Sequence, residues 1–230
     1  MTATPTAYWG ARAAEYDGFI RRVVPRYDEM TARLLDSLPA TPRRVLELGC
    51  GTGNLSLLLA RRLPRARLIF VDGAPEMVEA TRLGLSAMAP ELAERSTFLH
   101  GTFEALELEA GSVDLVVASL SLHHVADLAP VYRMLARGMA PGGEFRSADG
   151  IRADDPRLHA LHLERWEAFW REGDRLSPEE IASVKDHVAR HDHYEPLTRH
   201  FQMLEAAGFS RPDCLWRDGL FGVMAAARDG

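Results

Sequence analysis

Cysteine is nearly absent from this 230-residue chain. Only Cys50 and Cys214 occur, and they follow neither a disulfide framework nor a paired metal-ligand spacing. No apolar run approaches the roughly 18 residues that a membrane-spanning helix needs, and the opening "MTATPTAYWG" lacks the charged-then-apolar profile of a secretory signal. A reducing cytoplasm, with no membrane association, is the expectation. Excess positive charge is missing too: Lys and Arg total 27 against 33 Asp and Glu, a formal balance of −6. Such acidity disfavours a nucleic-acid partner, because phosphate-tracking proteins display a basic stripe. Arg21, Arg22 and Arg26 are the nearest thing to one. No Ser- or Pro-rich linker, repeat or low-complexity tract divides the chain, so one domain is expected. Lysine is scarce while arginine and alanine abound, as in a GC-rich bacterial genome, which is compatible with secondary metabolism.

What is present alternates. Apolar residues at helical intervals, interrupted by Pro25, predict helices over 8–22 and 26–38. Short apolar strands then follow at 44–48, 67–72, 96–100, 113–119 and 143–149, separated by amphipathic stretches at 54–63, 75–88 and 127–139. That rhythm predicts an α/β, Rossmann-like parallel sheet with helices on both faces. Past residue 150 two amphipathic segments occur with no strand between them. Ser177, Pro178 and Glu180 form a helix start, with an N-cap, a proline in the first turn and an acid at the third position. A further helix, 196–208, ends at Gly208, a residue suited to a left-handed cap. Two strands, "DCLWRD" and "FGVMAAAR", meet at Gly219 and should pair antiparallel. The expected layout is an N-terminal helical lid (1–40), a ligand-binding core (41–150), a helical insertion after the fifth strand (151–196) and a closing helix and hairpin (197–230).

Between the first strand and its helix stands "VLELGCGTGNL". Glycine there permits unusual dihedrals and close approach of a ligand to main chain at the carboxyl end of the sheet. The dinucleotide pattern G-x-G-x-x-G fails, since Asn54 occupies its sixth position, and no Gly-Lys-Ser/Thr follows for a phosphate loop. Instead Glu47 precedes Gly49, Gly51 and Gly53. An acid there would repel a pyrophosphate but suits an ammonium group. Asp72, ending the second strand, is placed to accept both ribose hydroxyls. A ribose without phosphate, joined to an amino-acid end, describes S-adenosylmethionine.

These features resemble the class I S-adenosylmethionine-dependent methyltransferases, particularly small single-domain members related to ubiquinone-biosynthesis and natural-product enzymes. The landmarks run in order: "VLELGCGTG", "VDGAPEMVEAT", "HGTFEALEL", "VDLVVASLSLHHV", "LARGMAPGGEF" and "LEAAGF". The resemblance implies a seven-stranded sheet whose last strand is antiparallel, and S-adenosylhomocysteine as product. It places Gly49, Gly51 and Gly53 along the methionine half with Glu47 near the ammonium, and Asp72 on the ribose. Gly73 and Met77 would flank the adenine, which Thr102 and the Phe103 N–H would contact where the family has Gly-Asp-Ala. Ser119 and Leu120 would lie beneath the sulfonium, with Tyr16 closing over the cofactor.

The acceptor side rests on histidines. A base matters when the nucleophile carries a proton, and His123 and His124 follow the fourth strand. In the family the second of such a pair faces the substrate and the first packs, so His124 is the candidate. His191, Asp192 and His193 would end the insertion over the pocket and touch the acceptor. His187 and His191 share a helix face at a spacing that can hold a metal, but without the zinc-hydrolase glutamate no metal is expected. Trp166, Phe169 and Trp170 recur at helical spacing, as core residues do. The family's Asn/Asp-Pro-Pro-Tyr motif, Pro-Cys nucleophile, fourth-strand metal acids and three-cysteine radical cluster are all missing. A small-molecule methyl acceptor is therefore expected, with a tRNA-modifying enzyme or a non-catalytic S-adenosylmethionine-binding protein as alternatives. The oligomeric state stays open, a homodimer included.

Overall fold

The structure, a computed structural model, describes residues 15–229. The chain enters through helices α1 (Tyr16–Val23) and α2 (Tyr27–Asp36). The part of the first expected helix before residue 15 lies outside the described residues. Strands β1 (Arg44–Leu48), β2 (Arg67–Asp72), β3 (Thr97–His100) and β4 (Val113–Ser119) follow, connected by α3 (Asn54–Arg62), by α4 (Pro75–Met88) with the short α5 (Pro90–Glu94), and by a loop after β3. Helix α6 (Leu128–Gly138) leads into β5 (Met139–Gly150). The insertion is α7 (Pro156–Arg171) and α8 (Pro178–His191), after which α9 (Leu197–Ala207), β6 (Phe209–Asp218) and β7 (Phe221–Arg228) close the fold.

The seven strands are ordered β3-β2-β1-β4-β5-β7-β6. Strands β1 to β5 pair in parallel, and β7 runs antiparallel to both β5 and β6. Strand β1 is apolar in succession because helices cover both faces of the sheet: Val45, Leu46 and Leu48 are all buried. One apolar layer joins alternate residues of β1 and β4 to α1, α2, α3 and the insertion; the other joins their neighbours to α6 and α9.

Helix and strand ends otherwise lie within a residue or two of expectation, but two strand starts lie four residues early. Strand β5 begins at Met139, not 143, because the Pro-Gly-Gly run 141–143 lies in an irregularity inside the strand: pairing with β4 shifts register between Val113 and Leu115. Strand β6 begins at Phe209, since Gly208 (φ 98°) caps α9 and hands the chain directly into the sheet. Arg211 (φ 50°) and the register shift around it absorb Pro212.

The insertion is bound to the N-terminal helices by specific polar contacts. Trp166 and Trp170, both buried, direct their indole N–H groups to the Val23 carbonyl at 2.7 and 2.9 Å, which satisfies an otherwise orphaned carbonyl at the end of α1. Arg22 pairs with Glu180 at 2.8 Å, and Ser177 and Glu180 form the reciprocal capping box anticipated for α8. Among the described residues no helix is long and apolar enough to cross a membrane.

Candidate active site

The glycine run turns the chain from β1 into α3 through left-handed backbone that favours glycine. Gly49 (φ 72°) has a second constraint: a Cβ there would stand 2.3 Å from Ser121 Cβ. At Gly51 (φ 55°) an added Cβ would instead point into open space, with the Tyr16 ring 4.0 Å away. Gly49 therefore lets the loop pack against the turn after β4, while Gly51 leaves its main chain facing open space. Gly53 is the N-cap of α3 and lies against Thr81.

Asp72 holds this loop in place. Its Oδ2 accepts the Gly51 N–H and its Oδ1 the Ala74 N–H, each at 2.9 Å. Each carboxylate oxygen has capacity for another donor. Burial raises the Asp72 pKa, with the backbone donors opposing that rise. Behind the loop Glu47 is 2% exposed, its Oε2 is buried without a hydrogen-bond partner, and burial pushes its pKa up to about 8. A buried carboxyl oxygen lacking a donor is costly, and a cationic group brought close would relieve that cost.

These elements surround a cavity of about 370 Å³, within the range of small-molecule sites. Its lining includes Tyr16, Gly49, Gly51, Asp72, Gly73, Met77, Thr102, Phe103, Ser119, Leu120 and His124. Glu47 and Gly53, also singled out from the sequence, stand behind this wall. Ala74, Glu104, Ser121 and Val125 complete the lining and went unremarked in the sequence. Leu120 sits at φ 50°, a strained backbone for a branched residue, where β4 leaves the sheet. Tyr16 is a neutral phenol, its pKa raised by burial and then by Tyr27 and Asp72.

At the opposite end four segments bring titratable side chains together. His123 and His124 come from the turn after β4, Asp149 from the end of β5, His187 from α8, and Asp192 and Tyr194 from the segment after it. His123 Nδ1 pairs with Asp149 Oδ1, and Asp149 also accepts the Leu122 and Gly150 N–H groups at 2.8 and 2.7 Å. Burial alone would lower the His123 pKa, but Asp149 and Asp192 outweigh it and hold it near 9. His124 Nδ1 lies 3.2 Å from Asp192 Oδ1. Burial and the charge of His123 lower the His124 pKa, which leaves its ring neutral. Tyr194 donates its hydroxyl to Asp192 Oδ2 at 2.6 Å.

Of the residues expected on the acceptor side, the structure brings His124 and Asp192 into this cluster. His191 is at its rim, its ring 5.2 Å from that of His187. The His193 side chain is exposed, and this residue touches the cluster only through its N–H, which donates to the His123 carbonyl at 2.6 Å. His200 is elsewhere, buried, with its Nδ1 2.8 Å from the Tyr132 hydroxyl. Sequence reasoning missed Asp149 and Tyr194. An acid ending a parallel strand was a visible signal for Asp149, as it was for Asp72; Tyr194 had none.

A seven-stranded sheet in this order, with a glycine loop after β1 and an acid ending β2, defines the class I methyltransferase fold. Residues 45–143 match the family profile described as a methyltransferase domain. An uncharacterized methyltransferase of Mycobacterium tuberculosis is 33% identical over 162 residues, covering 68% of this chain and 61% of that protein. A trans-aconitate 2-methyltransferase of an Acidovorax species is 28% identical over 169 residues, covering 74% and 61%. The chain thus spans about three fifths of the length of these relatives. Among solved structures, a methyltransferase in complex with the Haloferax volcanii Trm112 activator superposes with a TM-score of 0.71 at 18% identity, covering 100% of both chains. Phosphoethanolamine N-methyltransferase 2 of Haemonchus contortus, with S-adenosyl-L-methionine bound, gives 0.70 at 15%, covering 98% of this chain and 59% of that one. This chain belongs to the class I S-adenosylmethionine-dependent methyltransferases.

Proposed function

We propose that the protein transfers a methyl group from S-adenosylmethionine to a small-molecule acceptor. The observation that carries this reading is the cavity itself, where the main chain of Gly51 and the Asp72 carboxylate meet, with the buried Glu47 carboxyl behind the loop that forms its wall. Asp72 would accept the ribose hydroxyls. Gly73 and Met77 would flank the adenine, with Thr102 and the Phe103 N–H at its edge. Gly49 and Gly51 would line the methionine portion, Gly53 orienting the helix start behind them and Glu47 countering the ammonium. Ser119, Leu120 and Tyr16 would enclose the sulfonium. When bound there, S-adenosylmethionine would supply an electrophilic methyl group whose sulfur leaves uncharged.

What remains for the chain is mostly positioning, since well-oriented reactants reach effective molarities of about 10⁵ M or more. His124 reaches the cavity from the acceptor side, and we assign it to hold the acceptor's nucleophilic atom while Asp192 sets the ring's orientation. The lid formed by α1, α7 and α8 favours a compact acceptor over a polymer. Arg21, Arg22 and Arg26, the residues that could have formed a basic patch, are paired with Asp28, Glu180 and Glu29, which weakens the RNA-modifying alternative.

The test is label transfer from methyl-labelled S-adenosylmethionine into a cell extract separated into small-molecule, RNA and protein fractions. Label in the small-molecule fraction is expected. Label confined to RNA would overturn the acceptor class, and cofactor binding with no acceptor-dependent label would point to a binding protein.

A further inference from the structure

The acceptor end carries more donor groups than holding one nucleophile requires. Asp192 Oδ1 lies 3.2 Å from His124 Nδ1, 3.5 Å from His187 Nε2 and 3.9 Å from His123 Nε2. The ligating atoms of His123, His124 and Asp192 all fall within 4.8 Å of one another. A four-coordinate cation bound at about 2.0–2.1 Å sets its ligand atoms roughly 3.3 Å apart. The His124 separation matches that spacing and His123 needs only a closing movement, whereas His187 approaches Asp192 alone and stands at the edge of the group. We propose that His123, His124 and Asp192 form a site for a divalent transition-metal cation of the kind that prefers imidazole nitrogen and carboxylate oxygen.

The surroundings are those of a metal site. Metal-binding histidines characteristically present their second ring nitrogen to a carboxylate or carbonyl, which fixes the ring. His123 does so: Nδ1 faces Asp149, itself 1% exposed and held by backbone N–H groups, so that Nε2 is the atom turned toward Asp192. Tyr194 occupies Asp192 Oδ2, which leaves Oδ1 as the oxygen facing all three imidazoles. The ligands come from the turn after β4 and from the residue that caps the end of α8, so a cation would also fasten the insertion to the core.

Position gives the site a use. His124 lines the large cavity, while His123, His187 and Asp192 line a second one of about 40 Å³, and Tyr16 and Leu120 border both. A cation at this seam would hold an acceptor through an oxygen, a hydroxyl or carboxylate, so that His124 would act on the acceptor through the ion it ligates. This part rests on the methyltransferase reading; cation binding itself does not.

The experiment is a titration of purified, tag-free, chelator-stripped full chain with Co²⁺, followed by visible d–d absorption, together with equilibrium dialysis against Zn²⁺. One ion per chain is expected, with the intense absorption of a low-symmetry, imidazole-rich site. His123→Ala and Asp192→Asn should each weaken binding at least tenfold, and Asp149→Asn, which acts through His123, by about 10- to 100-fold. His159→Ala, on the outer helix, should change nothing. Absence of a retained ion and of the absorption band in the wild-type chain overturns the proposal. So does binding that survives both ligand variants, which would mean adventitious capture by other histidines. Calorimetry with S-adenosylmethionine on the same samples separates the two readings: a variant that still binds it is folded, and a wild type that binds cobalt but not the cofactor sinks the methyltransferase reading alone.

Discussion

The two ends of the cavity are built by opposite means. The end we assign to the cofactor rests largely on backbone: a loop whose course is set by glycine dihedrals, with the Gly51 N–H and, from the turn after β2, the Ala74 N–H meeting the Asp72 carboxylate. The acceptor end is made of side chains delivered by segments as distant as residues 123 and 194, with Asp149 and Asp192 balancing His123. Backbone recognition tolerates drift in the residues around it, whereas a side-chain cluster can be rebuilt for a new substrate without disturbing the loop. Such a division would let one fold keep a single ligand at one end while the other end changes.

If the division is correct, breaking each end should produce a different defect. The largest effect belongs to Gly51→Val. A branched side chain at φ 55°, aimed into the cavity, should abolish cofactor binding, a loss of more than about 100-fold. Titration calorimetry with normal affinity would refute the loop's role. His124→Ala should lower turnover by about 10²- to 10⁴-fold while leaving cofactor affinity within a few-fold, a split that belongs to a residue serving the acceptor. Equal losses in both would move His124 to the cofactor side.

Asp72→Ala should weaken cofactor binding by about 10- to 100-fold, roughly 1.4–2.8 kcal/mol, without altering the circular dichroism of the fold. Unchanged affinity would remove the ribose assignment. Smallest and most particular is the pH response of Glu47→Gln. Because the folded chain holds Glu47 at a pKa of about 8, above the usual carboxyl range, the folded state binds the proton more tightly than the unfolded one. The stability contributed by protonated Glu47 is complete below pH 4.5, declines as pH rises, and is gone above about 8. The glutamine variant should therefore melt higher than wild type at pH 8.5, with the gap closing by pH 5. Parallel melting curves across that range would show that Glu47 is not titrating as a buried acid.

Legibility followed the same division. Sheet, strand sequence, hairpin, the capping box at Ser177 and the insertion could all be read from periodicity and turn chemistry, because each depends on residues within a dozen positions. The Pro-Gly-Gly run misplaced the start of β5, since local turn chemistry cannot reveal that a neighbouring strand accommodates an irregularity by shifting register. His191, Asp192 and His193 looked equivalent in sequence. In the structure Asp192 turns inward, His193 outward, and His191 stays at the edge.

The sequence by itself therefore determined the fold class and where the main chain is left open at the end of the sheet, because glycines, strand-end acids and hydrophobic periods act through local geometry. Only the tertiary structure decided which histidines share a carboxylate, that Asp149 and Tyr194 stand behind them, and that two tryptophans fasten α7 to Val23. Those outcomes depend on how α8 packs over the carboxyl ends of β4 and β5, a long-range arrangement that sets distances between side chains no local spacing encodes.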